Sequence, residues 1–137
     1  MTTSLDLNVS MPELTRTLLD IYSVSGEEKT IADAVYEALS AYPHLHLTRD
    51  GDAMIARTEF GPRNGGERTR ILLAGHLDTV PLPTVAGALG TVPARIVEDN
   101  GDWILYGRGA TDMKGGVAVQ LKLAAALGEH DNDSNLT

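Results

Sequence analysis

The sequence predicts an α/β domain in which a mixed sheet is flanked by helices. Three observations carry that reading. Apolar residues recur at helical spacing in two early segments, short alternating or wholly apolar runs follow them, and a late segment, Gly115 to Leu127, is almost entirely apolar. The 137 residues suffice for one modest domain with a buried core, and 42% hydrophobic against 22% charged residues is a globular composition.

Taken in order, Ser10-Met11-Pro12-Glu13 has the form of a capping box, and Leu14, Leu18, Ile21 and Tyr22 follow at helical spacing. A first helix is expected to run to about Tyr22. Ser25-Gly26-Glu27-Glu28 repeats the cap signal, with Ser25 able to cap and Glu28 able to reach back. Ile31, Ala32, Val35 and Leu39 then share one face and Pro43 ends it, which predicts a second helix from about 27 to 40.

Beyond Pro43 the alternation places Leu45 and Leu47 on one side, Arg49-Asp50-Gly51-Asp52 turns the chain, and residues 53–58 resume an extended pattern as a hairpin. Residues 61–68 are polar and glycine-rich and read as a loop. Ile71-Leu72-Leu73-Ala74-Gly75 is a continuous apolar run, the pattern of a buried central strand. Residues 81–94 form a long connection. Two extended runs around Glu98-Asp99-Asn100-Gly101-Asp102 predict a second hairpin, and Gly115 to Leu127 a buried helix stopped by Gly128. The last residues, Asn135-Leu136-Thr137, close no element, so residues 1–137 are expected to be a portion of a domain.

A net charge of −8 and a pI of about 4.8 give nothing to attract a phosphate backbone or an anionic membrane surface, so neither nucleic acid nor membrane is an expected partner. With no cysteine, disulfides, thiolate metal sites and a cysteine nucleophile are excluded, and a metal would be held by imidazole and carboxylate. The polar, acidic start lacks a signal-peptide pattern, and a cytoplasmic protein is expected.

Chemistry concentrates in two places. Gly75-His76-Leu77-Asp78-Thr79 directly follows the apolar run, and with extended backbone His76 and Asp78 would lie on one side, so that Asp78 could fix which imidazole nitrogen is free for a metal. Taken alone, the pair also reads as two loop-end polar residues. Gly107-Arg108-Gly109-Ala110-Thr111-Asp112-Met113-Lys114-Gly115-Gly116 leads into the apolar helix. Asp112 could simply be its N-cap, but the four glycines permit unusual backbone angles and close approach around one carboxylate.

The segments Ala74 to Pro81 and Tyr106 to Gly116 together resemble the two motifs of the co-catalytic zinc family of aminoacylases, carboxypeptidases and amide-cleaving deacylases. Ile21 to Glu28 is also similar to that family's opening helix and turn. The resemblance implies the amino-terminal part of a zinc-peptidase-like catalytic domain acting on a small N-acyl amino-acid substrate. It implies that His76 binds one of two zinc ions (cobalt serving as a substitute), that Asp112 bridges both, and that Asp78 is the catalytic-site acid that orients His76. Lys114 and Arg108 belong to the motif without an assigned role. The general base and the remaining ligands, and the domain through which the full-length protein would form a homodimer, are implied to lie beyond residue 137. The loop from Pro81 to Asp99 resembles desuccinylases of high-GC Gram-positive bacteria rather than the deacetylases. Still open at this point are a deacetylase, a related peptidase, and a non-catalytic binding module with half of the fold.

Other candidates read as structure. His44 and His46 lie in an edge hairpin, Asp99 to Asp102 lacks the spacing of a calcium loop, Gly107-Arg108-Gly109 lacks the third glycine of a dinucleotide fingerprint, and His130 sits in a polar tail.

Overall fold

The computed structural model describes residues 4–58 and 69–128. The expected loop at 61–68 and the polar tail with His130 lie outside them. Helix α1 (Met11–Asp20) begins as the cap signal predicts: the Glu13 carboxylate accepts from the Ser10 backbone N–H at 3.0 Å and its hydroxyl at 2.6 Å. The helix ends short of Tyr22. Ile21 turns extended, at φ −88° and ψ 118°, and leads the chain toward a parallel bridge between Val24 and Thr79.

Helix α2 (Lys29–Ser40) buries Ile31, Ala32, Val35 and Leu39, the face read from the sequence, with Ala34 and Ala38 beside them. Its expected capping box does not form. Glu28 Oε1 accepts from Gly26 N–H at 2.7 Å, and the Ser25 hydroxyl is turned away to Asp78.

Strands β1 (Leu45–Asp50) and β2 (Ala53–Thr58) form the first antiparallel hairpin; β3 (Arg95–Asp99) and β4 (Asp102–Tyr106) form the second. Between β3 and β4, Asn100 at φ 53° and Gly101 at φ 90° supply the two positive φ values that a two-residue turn of this kind requires. The first hairpin is clamped to α2 by Arg49, whose guanidinium lies 2.6 Å from Asp33 and over the Tyr36 ring. At the entry to the second, Ala94 N–H donates to Asp20 Oδ1 at 2.7 Å.

The α/β class holds, but among the described residues the expected central strand does not. Residues 71–75 belong to no ladder, and Leu72 is 83% exposed. An apolar run becomes a strand only when another strand supplies its backbone partners, and neither hairpin runs beside this one. Among the described residues the pairing is two separate antiparallel ribbons plus one parallel bridge. What fixes the run near its end is Gln120, whose Nε2–H donates to Ala74 O at 3.0 Å.

Helix α3 (Gly115–Ala126) buries Val117, Ala118 and Leu121 against α1 and α2. Sequence alone makes it apolar all round, hence buried all round. Instead one face is covered, and Val119, Leu123 and Leu127 are exposed. The core also takes in Leu5 and Leu7 from the leading segment, which Lys122 holds by donating to Leu7 O and Val9 O.

Candidate functional site

The site is assembled where the loop after residue 75 meets the turn before α3. Ser23 O accepts from Thr79 N–H at 2.8 Å, Thr79 O from Ser25 N–H at 3.0 Å, and Leu77 O from the Ser23 hydroxyl at 2.8 Å. These bonds stitch the His76 loop to the segment between α1 and α2. The bridge does in miniature what the expected strand would have done: it holds 76–79 at a fixed place against the helical core.

Asp112 is not the N-cap of α3; Lys114 occupies that place. Ala110 to Lys114 form an irregular turn in which Asp112 (φ −131°, ψ 84°) and Met113 (φ −137°, ψ 33°) leave helical geometry, with a cis peptide between them. The carboxylate oxygen Oδ1 of Asp112 lies instead beside the His76 ring.

Two residues hold this turn in place. Gly109, at φ +81°, lies so close to Thr79 that a Cβ would sit 2.7 Å from its Cγ2. Lys114 is 1% exposed, and its ammonium donates at the end of α1 to Ile21 O at 2.8 Å and to Leu18 O at 2.9 Å, the latter shared with the Ile21 backbone N–H at 3.4 Å. Burial pushes its pKa down to about 8, a shift partly opposed by the Asp20 carboxylate. Lys114, given no role from sequence, ties the Asp112 turn to α1. Gly107 packs on Leu19, where a Cβ would sit 2.8 Å from Cδ1.

His76 then meets both acids. Its Nε2 lies 3.0 Å from Asp112 Oδ1, while Nδ1 lies 3.1 Å from Asp78 O and 3.2 Å from Asp78 Oδ1. Two acceptors at Nδ1 favour the proton there, which leaves Nε2 as the nitrogen facing Asp112. Desolvation works against the charged imidazole, but the Asp78 carbonyl and then the Asp112 carboxylate outweigh it and raise the His76 pKa above its ordinary value. Asp78 is held below its ordinary value, first by the Ser25 hydroxyl at 2.5 Å and further by His76.

An imidazole nitrogen and a carboxylate oxygen 3.0 Å apart are close to the separation of about 3.3 Å that two ligands take around one tetrahedral zinc with bonds of about 2.0–2.1 Å. Both side chains are exposed to solvent, His76 by 44% and Asp112 by 80%. The pair fits as part of a metal site; among the described residues no group of three or more His, Cys, Asp or Glu side chains completes one. Beside Asp112 a cleft of about 400 Å³ is lined by Val80 and by the chain from Ile104 to Asp112, with Arg108 among its walls.

The structure brings together His76, Asp78 and Asp112, the residues singled out in the sequence, and adds Ser25, which reads in the sequence as a helix cap. The available signal was Ser23-x-Ser25, two hydroxyls on one side of a short extended stretch. His44, by contrast, is structural as expected: its Nε2 lies 2.8 Å from Ala124 O near the end of α3.

Comparison with known proteins gives this geometry a context. A mycobacterial protein (Mycobacterium tuberculosis), named provisionally as the succinyl-diaminopimelate desuccinylase DapE, is 44% identical over 133 residues, which are 96% of this chain and 33% of that protein. The succinyl-diaminopimelate desuccinylase of Corynebacterium glutamicum is 40% identical over 116 residues, 83% of this chain and 27% of that one. A [LysW]-lysine hydrolase of Deinococcus radiodurans is 35% identical over 118 residues, 84% of this chain and 27% of that one. The chain thus spans about a quarter to a third of the length of the curated relatives it matches. Residues 72–137, which contain both motifs, match Peptidase family M20/M25/M40, and the chain belongs to that family.

Proposed function

We propose that this chain is part of the catalytic domain of a zinc-dependent amidohydrolase that removes the succinyl group from N-succinyl-diaminopimelate, in the cytoplasmic synthesis of lysine and diaminopimelate. The observation that carries the reading is the meeting of His76 and Asp112 at 3.0 Å across 36 residues of sequence, with Asp78 behind the imidazole. Support for the substrate comes from the relatives named as succinyl-diaminopimelate desuccinylases.

In this reading His76 Nε2 and the Asp112 carboxylate hold metal, and Asp78 keeps the proton on Nδ1 so that the Nε2 lone pair stays available. Bound zinc would polarise the amide carbonyl and activate a water. The cleft beside Asp112 offers room for a small N-acyl amino acid. Two ligands do not make a working zinc site, so the chain by itself is expected to bind zinc weakly and not to turn over.

A second reading, hydrolysis of a [LysW]-linked lysine or ornithine, draws on relatives at 35–36% identity that carry those names. The test is amide hydrolysis with added zinc by this chain and by the product of the whole reading frame that encodes it, on N-succinyl-diaminopimelate, N-acetylornithine and a [LysW]-lysine substrate. Cleavage of the succinyl compound in preference to the others, by the longer protein only, is expected. Preference for another substrate overturns the desuccinylase assignment, and no cleavage of any of them favours a non-catalytic binding module.

A further inference from the structure

We propose that Ser25 is a positioning residue of this site, its hydroxyl holding Asp78 in the one orientation that backs His76. The inference rests on the metal-ligand reading of His76, which it deepens. The observation behind it is how the two oxygens of Asp78 are divided: Oδ2 accepts from the Ser25 hydroxyl at 2.5 Å, and Oδ1 lies 3.2 Å from His76 Nδ1.

His76 stands between two carboxylates that compete for its single proton when the ring is neutral: Asp78 at Nδ1 and Asp112 at Nε2. If Asp112 takes the proton, Nε2 has no lone pair for a metal. The Asp78 carbonyl also accepts at Nδ1, at 3.1 Å, and the carboxylate adds its charge to that side only while it stays against the ring. Asp78 is 38% exposed, so nothing about packing alone keeps its side chain from rotating into water. Ser25 supplies the restraint, and Ser25 is itself fixed, because its backbone N–H donates to Thr79 O and its neighbour Val24 forms the parallel bridge. The segment between α1 and α2 therefore reaches the imidazole through one hydroxyl. Metal-holding histidines are ordinarily oriented by a hydrogen-bonded acid in this way, and weakening such support costs metal affinity.

The experiment uses Ser25→Ala and Ser25→Thr in the full chain, without metal, at a pH alkaline enough to make the ring neutral. Two-bond proton–nitrogen correlation spectra report which ring nitrogen of His76 carries the proton. The wild type and Ser25→Thr are expected to show the Nδ1–H tautomer and Ser25→Ala a mixture with Nε2–H; an unchanged tautomer in Ser25→Ala overturns the proposal. Ser25→Cys, a weak donor of similar size, provides the same comparison should the alanine variant lose its fold. Zinc titration is the second readout: affinity on the order of tenfold lower in Ser25→Ala and recovered in Ser25→Thr is expected. A tautomer change with no zinc binding in the wild type would sink the metal reading and leave the positioning role intact.

Discussion

His76 Nε2 lies 3.0 Å from Asp112 Oδ1, although one residue follows an unpaired apolar run and the other precedes α3. Neither position is set by a broad sheet. The imidazole is brought in by the Val24–Thr79 bridge, and the carboxylate by Lys114 fastened under the end of α1. The site is a junction of two short connections on a helical core, and its behaviour should depend on the fasteners as much as on the ligands.

Asp78 acts on His76 from behind, so Asp78→Asn should slow turnover of the whole protein about 10- to 100-fold while leaving most of the metal in place. Metal content and rate, measured together, check this. Metal loss as complete as that of His76→Ala would instead make Asp78 a ligand.

Lys114→Met keeps the aliphatic stem and leaves Ile21 O without its buried donor, while Leu18 O keeps only the longer bond from the Ile21 N–H. An unsatisfied buried acceptor costs about 1–3 kcal/mol, so the urea midpoint should fall with little change in slope. An unaltered midpoint would show that the ammonium is not the tether.

Gly109→Ala places a methyl at φ +81° and 2.7 Å from Thr79 Cγ2. The backbone conformation alone costs roughly 1–2 kcal/mol, and the contact pushes the Asp112 turn away from the His76 loop. Loss of metal affinity beyond the loss of stability is expected. A variant with wild-type zinc affinity would contradict the close approach.

Asp33 is held below its ordinary carboxyl value of 3.8, first by Lys29 and then by Arg49. A lowered native value means that the unfolded state binds the proton more readily, so this contribution is present above 3.8 and lost as pH falls through the native value. Wild type should be more stable than Asp33→Asn at neutral pH, and acid and salt should each close the gap. Both carboxylate oxygens are engaged, yet the pair is exposed, so the effect is small. A gap that widens in acid would contradict the assignment.

Much of this was legible in the residues themselves. The faces of α1 and α2, both hairpins and the Asn100-Gly101 turn follow from local pattern, because a helix face or a tight turn is specified within a few residues. His76, Asp78 and Asp112 stood out through the resemblance of their two segments to one family's motifs, since taken alone the first two also read as loop-end polar residues and the third as a helix cap. The run 71–75 was misread because apolarity says that a segment avoids water and not which strand will pair with it. Lys114 was given no role because its partners, the Leu18 and Ile21 carbonyls, are backbone groups 96 and 93 residues away that no side-chain pattern announces. Ser25 was read as a cap because a cap needs only neighbours in sequence, whereas its actual partner, Asp78, lies 53 residues on.

The most direct measurement of the central claim is zinc content and turnover of the whole reading-frame product carrying His76→Ala, Asp112→Ala, and both together. Residues that act as one unit are not additive, so each single change should remove most activity and metal, and the double change should be little worse than either. Normal turnover at limiting zinc with either single substitution would contradict the assignment of this pair as the metal-holding centre.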